Sequence, residues 1–328
     1  MITSTFTFIA GLMVAAAAGA DVPHDAAWCG TPAPSADLEA LASEFTPADS
    51  SRQGRTNTTG NTVDPNRVWP QLKIQLYFHV VGGSSPEKSE ARKLSYTTLE
   101  DQLSTLNSHF AKTNITFSFA GLDRTTNPTW AVGGGGDYNS SLTVFSDMRR
   151  TLHKGEQDAL NVYVVDYIPG PNGTYGAGIA GSPKLEWDRD SVTDDGVVID
   201  ATTTPGGKFP LRDLGATLTH EVGHWLGMPH TFGFASWNPP EEIRDTCEQS
   251  KLQKLLGLAP QKIPSFGCPE TPPDTCPDDD KPDPIDNFMG YNADHCMNNF
   301  TKEQIFMMRT IFDRLRRQKG GMSGGPST

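Results

Sequence analysis

The chain has 328 residues, and its 39 acids against 27 bases give a formal net charge of −12 at pH 7. That balance argues against a nucleic-acid binder, which needs a basic face, while 36% hydrophobic content allows a packed core and argues against general disorder. No stretch beyond residue 20 approaches the roughly 18 apolar residues that cross a bilayer, so no membrane partner is expected.

Residues 6–20 read FTFIAGLMVAAAAGA, apolar and small. With Ala18 and Ala20 at small-x-small spacing they predict a signal peptide over 1–20 and Asp21 as the first mature residue. The protein is therefore expected outside the cell. Five N-x-Ser/Thr sequons, at Asn57, Asn114, Asn139, Asn172 and Asn299, fit export and are glycan acceptors in a eukaryotic host.

Residues 21–60 are rich in Ala, Pro, Ser, Thr and Asn, the composition of a propeptide, with one helix predicted at 35–45. The stretch SRQGRTNTTGNT at 51–62 is polar and open to proteolysis. A compact unit over 61–328 follows. LKIQLYFHVV (72–81) is rich in strand formers. Residues 97–111 place Leu99, Leu103, Leu106 and Phe110 at helical spacing, with Thr98 as N-cap. A strand is predicted at 115–121. The Gly133–Gly136 run lacks the Lys-Ser/Thr of a phosphate loop and is expected to be a flexible connection. A helix at 141–153 and strands at 160–168 and 196–200 complete an α/β sandwich. There are no internal repeats.

Residues 213–230 read DLGATLTHEVGHWLGMPH. Leu214, Leu218, Val222 and Trp225 mark a helix, and Asp213 is its expected N-cap. His220 and His224 lie four apart, so both imidazoles share one helical face and suit Zn²⁺. Glu221 is placed to take a proton from water at the fourth zinc position. Gly227 can adopt φ > 0 and turn the chain so that His230 becomes the third ligand. Three protein ligands leave one position open, the mark of a catalytic site. The bare H-E-x-x-H arises by chance in about one such sequence in a hundred, and the added Gly and His lower that by roughly two orders of magnitude. His24, His79, His109, His153 and His295 have no such spacing.

Cys247, Cys268, Cys276 and Cys296 crowd together, which suggests two disulfides in one of three connectivities. Cys29 is left over. A thiolate is a strong zinc ligand, so Cys29 at the open position would silence the enzyme until the propeptide leaves. Residues 269–287 carry seven acids against Lys281 alone, with six prolines. They are read as a solvated loop, with a Ca²⁺ site as the alternative. Thr301 and Gln304 form a capping-box signature. Ile305, Met308, Phe312 and Leu315 continue a helix that Gly320 should end, its basic tail suiting the helix C-terminus.

HEVGHWLGMPH at 220–230 fits the extended H-E-x-x-H-x-x-G-x-x-H motif of metzincin metalloproteases, and Met289 in DNFMGY (286–291) resembles their Met-turn. PIDNFMGYNADHCMNNFT (284–301) and the strand IQLYFHVV are similar to the pappalysin family, most of all to its secreted fungal extracellular metalloproteases. The resemblance runs from about 72 to 317, and WCGT at 28–31 carries it into the propeptide. It implies an α/β (α+β) metzincin catalytic domain: a twisted mixed sheet with two long helices and the zinc helix up to about 230, then an irregular subdomain with the Met-turn and a final helix. It implies His220, His224 and His230 as ligands of one catalytic Zn²⁺, Glu221 as general base and acid, and Tyr291 as oxyanion donor. It pairs Cys247 with Cys276 and Cys268 with Cys296, and makes Cys29 a cysteine switch. The segment FASWNPPEEIRDTCEQ departs from the family's calcium loop, and His295 stands where some relatives carry an acid that selects basic residues, with Asp294 next to it.

The expected activity is that of a zinc endopeptidase, made as a zymogen and acting as a monomer on protein and peptide substrates. The rivals are a silent secreted binding or adhesion protein that keeps the metzincin shell, and an astacin-like enzyme with another disulfide map.

Overall fold

The computed structural model describes residues 29–31, 34–45, 62–170, 174–232, 251–259, 261, 265–276 and 281–317. The expected signal peptide (1–20), the stretch 51–61, Asn57, Asn172, Cys247, Asp278–Asp280 and Gly320 lie outside the described residues.

A five-stranded sheet organises the chain. Its strands are β1 (Leu72–Gly82), β2 (Ile115–Thr126), β3 (Leu160–Val165), β4 (Gly178–Ala180) and β5 (Val197–Asp200), in the order β2-β1-β3-β5-β4. All neighbours are parallel except β4, which runs antiparallel to β5 at one edge. The side-chain period of two sorts residues between the two faces. Phe78, Val80, Val162, Val164, Val197 and Ile199 enter the main core, whereas Val81, Tyr163, Val165 and Val198 enter a second core on the other face. With both faces covered, β3 and β5 are buried throughout, as central strands of parallel sheets are.

The helices are α1 (Ala36–Ser43), α2 (Tyr96–His109), α3 (Tyr138–Leu152), α4 (Ala216–Trp225) and α5 (Lys302–Ile311). Short helices at Glu90–Lys93, Pro128–Ala131, Arg189–Thr193 and Lys251–Leu255 lie between or beside them. Phe145 and Met148 place α3 against the second core; Leu99 and Leu106 of α2 and Leu218 and Val222 of α4 fill the main one. Helix α1 also enters the main core through Leu38, Leu41 and Ala42, followed by Phe45.

Several local expectations shift. The cap of α2 is Ser95, whose hydroxyl accepts the Thr98 N–H at 3.0 Å, so Thr98 lies inside the helix. Helix α3 starts three residues before the expected position because Asp137 caps it, accepting the Ser140 N–H at 2.9 Å. Gly133–Gly135 form a 3-10 turn against α3 and not a loose connection. Strand β4 carries no pattern long enough to be seen in the sequence. At α5 the Thr301–Gln304 capping box forms as expected. The helix then widens into a π turn over Phe312–Arg316, and Arg317 is already extended, so the helical path ends before Gly320.

Of the basic tail, Arg314 and Arg317 are exposed, but Arg316 does not sit in solvent as a partner for the helix end. Arg316 is wholly buried, ion-paired with Asp195 at 2.6 Å, and donates to the Trp225 carbonyl at 2.8 Å. Its guanidinium lies 3.8 Å from the Trp225 ring centroid. That pins the last helix to the end of α4.

Cys268 and Cys296 are bonded, with Cα atoms 5.7 Å apart. Cys276 is also disulfide-bonded, while Cys247 falls outside the described residues. Within the acidic loop, Asp283 accepts from the Thr275 N–H and hydroxyl at 3.2 and 3.0 Å. Of the described sequons, Asn139 is exposed, whereas the Asn114 and Asn299 amides donate to the Trp69 carbonyl and the Asp286 carboxylate.

Candidate metal centre

Helix α4 carries the site. Its N-cap is Gly215 at φ 89°, and Asp213 makes no capping bond. Asp294 caps from afar instead: its Oδ2 accepts the Leu214 N–H at 2.9 Å and the Ala216 N–H at 3.2 Å. Leu214 lies outside the helix and is half exposed, so it is not part of the apolar face expected of it. At the other end Gly227 takes φ 88°, the left-handed turn anticipated, and the Met228 N–H reaches back to the Gly223 carbonyl at 2.9 Å. That reversal brings His230 beside the two helical histidines.

The His220 Nδ1 bonds the Phe288 carbonyl at 2.7 Å, and the His224 Nδ1 bonds the Met228 carbonyl at 2.7 Å. A carbonyl only accepts, so both Nδ1 atoms carry the proton and both Nε2 atoms present lone pairs. The His224 Nε2 lies 3.1 Å from the His220 Nε2 and 3.0 Å from the His230 Nε2. The His220–His224 contact therefore joins lone pair to lone pair and is not a hydrogen bond; a cation between them resolves the conflict. Tetrahedral zinc with Zn–N near 2.05 Å sets its ligand nitrogens about 3.3 Å apart, so the trio fits. Burial holds all three imidazoles well toward the neutral, ligating form, the His224 value falling to about 4.

Cys29 completes the cluster. Its thiol and the three histidine nitrogens lie within 4.8 Å of one another, the metal-ligand cluster of highest burial among the described residues. Cys29 forms no disulfide and is buried. Met289 sits beneath the trio: a Cβ on Gly223 would meet its sulfur at 2.3 Å, so only glycine fits between the two histidines at that point. The Tyr291 ring lies 5.0 Å from His230, and its hydroxyl donates to the Cys29 carbonyl at 3.3 Å.

Glu221 is fully buried, and burial pushes its carboxyl up to about 8. Strand β4 passes directly over it, since a Cβ on Gly178 would lie 2.5 Å from the Glu221 Cγ and 2.6 Å from its Oε1. Gly178→Ala should therefore push the carboxylate out of place and cost about a hundredfold in turnover, with the melting temperature little changed. Peptide hydrolysis beside thermal unfolding checks this; wild-type turnover would show that the wall is not needed.

Residues 29–31 lie along β4. Cys29 bridges Gly178, and the Gly30 N–H donates to the Gly178 carbonyl at 2.8 Å. The Tyr138 hydroxyl donates to the Gly30 carbonyl. Thr31, Tyr138, Gly178 and Asp294 thus serve the site without any spacing signal of their own. Only the WCGT resemblance touched Thr31. His295 is exposed and makes no part of the centre.

The peptidase family described as pregnancy-associated plasma protein-A matches residues 148–313. An extracellular metalloprotease of Colletotrichum graminicola is 32% identical over 95% of this chain and 99% of its own length. One from Verticillium alfalfae is 34% identical over the same shares. Among solved structures, mature mirolysin of Tannerella forsythia in complex with a cleaved peptide superposes with a TM-score of 0.53 at 27% identity, covering 75% of this chain and 93% of that one. Three histidines, a buried glutamate and a methionine beneath them thus stand in a chain related along its length to extracellular metalloproteases: it belongs to the pappalysin family of metzincin metalloproteases.

Proposed function

We propose that the chain is exported by residues 1–20, held latent by a prosegment over 21–60, and released as a zinc endopeptidase over 61–328. The observation that carries this is the placement of the Cys29 thiol against His220, His224 and His230, which are far away in sequence. His220, His224 and His230 would hold zinc, and Cys29 would take its fourth position. When bound, zinc supplies Lewis-acid activation of water and of the scissile carbonyl.

The chain's own residues do the rest. Glu221 takes the proton from the attacking water and returns it to the leaving amine. The Tyr291 phenol, which donates to the Cys29 carbonyl in the full chain, would donate to the oxyanion once that segment leaves. The edge of β4, which the prosegment occupies through the Gly178 carbonyl and the Ala180 N–H, would hold extended substrate by strand addition.

A Cys29→Ala proform tests the reading. It should hydrolyse peptide without prior processing, or cut itself during expression, and chelator should abolish that activity. A variant as latent as the parent, prosegment attached, would mean that steric cover and not the thiol does the silencing. A processed parent inert on casein and gelatin zymograms would favour the silent binding shell.

A further inference from the structure

Residues 29–31 do more than deliver a thiol. The Thr31 hydroxyl donates to the Glu221 Oε2 at 2.9 Å and accepts the Ala180 N–H at 2.8 Å. It is 7% exposed. The Cys29 thiol also lies against the Glu221 carboxylate, whose Oε1 is buried without a hydrogen-bond partner among the described residues. The Thr31 hydroxyl ties the buried base to the edge of the sheet. We propose that Thr31 is a second latch of the zymogen, independent of metal, which occupies the general base and the Ala180 N–H that strand addition would use.

The proposal rests on the zymogen reading and adds a separate lock to it. The thiol would act on the metal position, and Thr31 acts on the base. Deleting the hydroxyl would take the Thr31 donor from the buried Glu221 carboxyl and also orphan the Ala180 N–H. The β-branched side chain has few rotamers to lose, which suits a fixed bridge. Release of the prosegment frees the carboxylate and the strand edge in one event.

The experiment uses full-length proforms: parent, Cys29→Ala, Thr31→Val, Thr31→Ala and Thr31→Ser. Two quantities are read, peptide hydrolysis with zinc and amide hydrogen exchange at Ala180 after chelation. Thr31→Val and Thr31→Ala should each speed Ala180 exchange about tenfold or more, with or without metal, and raise proform hydrolysis. Thr31→Ser should restore both, and Cys29→Ala should leave metal-free Ala180 exchange at the parent level. If Cys29→Ala is active while both hydroxyl deletions keep parental exchange and latency, the latch is wrong and the zymogen reading stands. A parent proform that already hydrolyses peptide at the processed rate would overturn the zymogen reading itself. If Thr31→Val misfolds, the smaller Thr31→Ala decides.

Discussion

Glu221→Gln is expected to lower kcat at least about a hundredfold, the usual scale of general acid–base work, while zinc stays bound. The three histidine nitrogens and their carbonyl partners at Phe288 and Met228 are untouched by the change. The amide keeps the shape of the carboxylate. What it loses is the ability to carry a proton from water to the leaving amine. Peptide hydrolysis of the processed enzyme, alongside metal content per chain, separates this from loss of the site. Turnover near the parent with zinc retained would remove Glu221 from the mechanism.

Arg316→Met should destabilise the fold by about 3–5 kcal/mol, because it strands Asp195 as a buried charge. Both side chains are almost wholly inaccessible, at 0% and 2% exposure. The Trp225 indole N–H also donates to Asp195 at 2.7 Å, but one neutral donor does not replace a guanidinium. A loss of that size is a large part of a typical domain's stability of roughly 5–15 kcal/mol. Urea unfolding measures it. The paired variant Arg316→Met with Asp195→Leu should recover most of the loss, since an apolar pair of similar volume needs no counter-charge. A single variant within about 1 kcal/mol of the parent would show that water or a rearranged donor satisfies Asp195. Because Arg316 also bonds the Trp225 carbonyl at the end of α4, the damage should reach the metal centre and lower zinc retention.

The metal centre was legible because its chemistry repeats at helical spacing. Two imidazoles four residues apart must share a face, and a glycine at 227 marks a reversal that no other residue makes as readily. The four parallel strands of the sheet were legible too, since buried parallel strands are dense in Val and Ile whichever face each side chain takes. The spare cysteine announced itself by parity. Its destination at the histidines came from the chemistry of thiolate and zinc together with the resemblance.

What stayed hidden depended on atoms far apart in the chain. Asp213 looked like the cap of α4 because it lies next to it, yet Asp294 supplies the bonds from about eighty residues on, and no local preference encodes a partner at that distance. Arg316 read as a tail charge at a helix end; its burial depends on Asp195 and Trp225 lying where α5 lands. Three-residue β4 is too short to show a period, so the wall over Glu221 and the strand edge it offers emerge only when β5 pairs with it. Sequence alone thus determined which groups could bind a metal and move a proton, because that information is carried by residue type and near spacing. The tertiary structure decided what caps, covers and latches those groups, because hydrogen bonds across the sheet edge and between distant turns exist only once the core has brought them within about 3 Å.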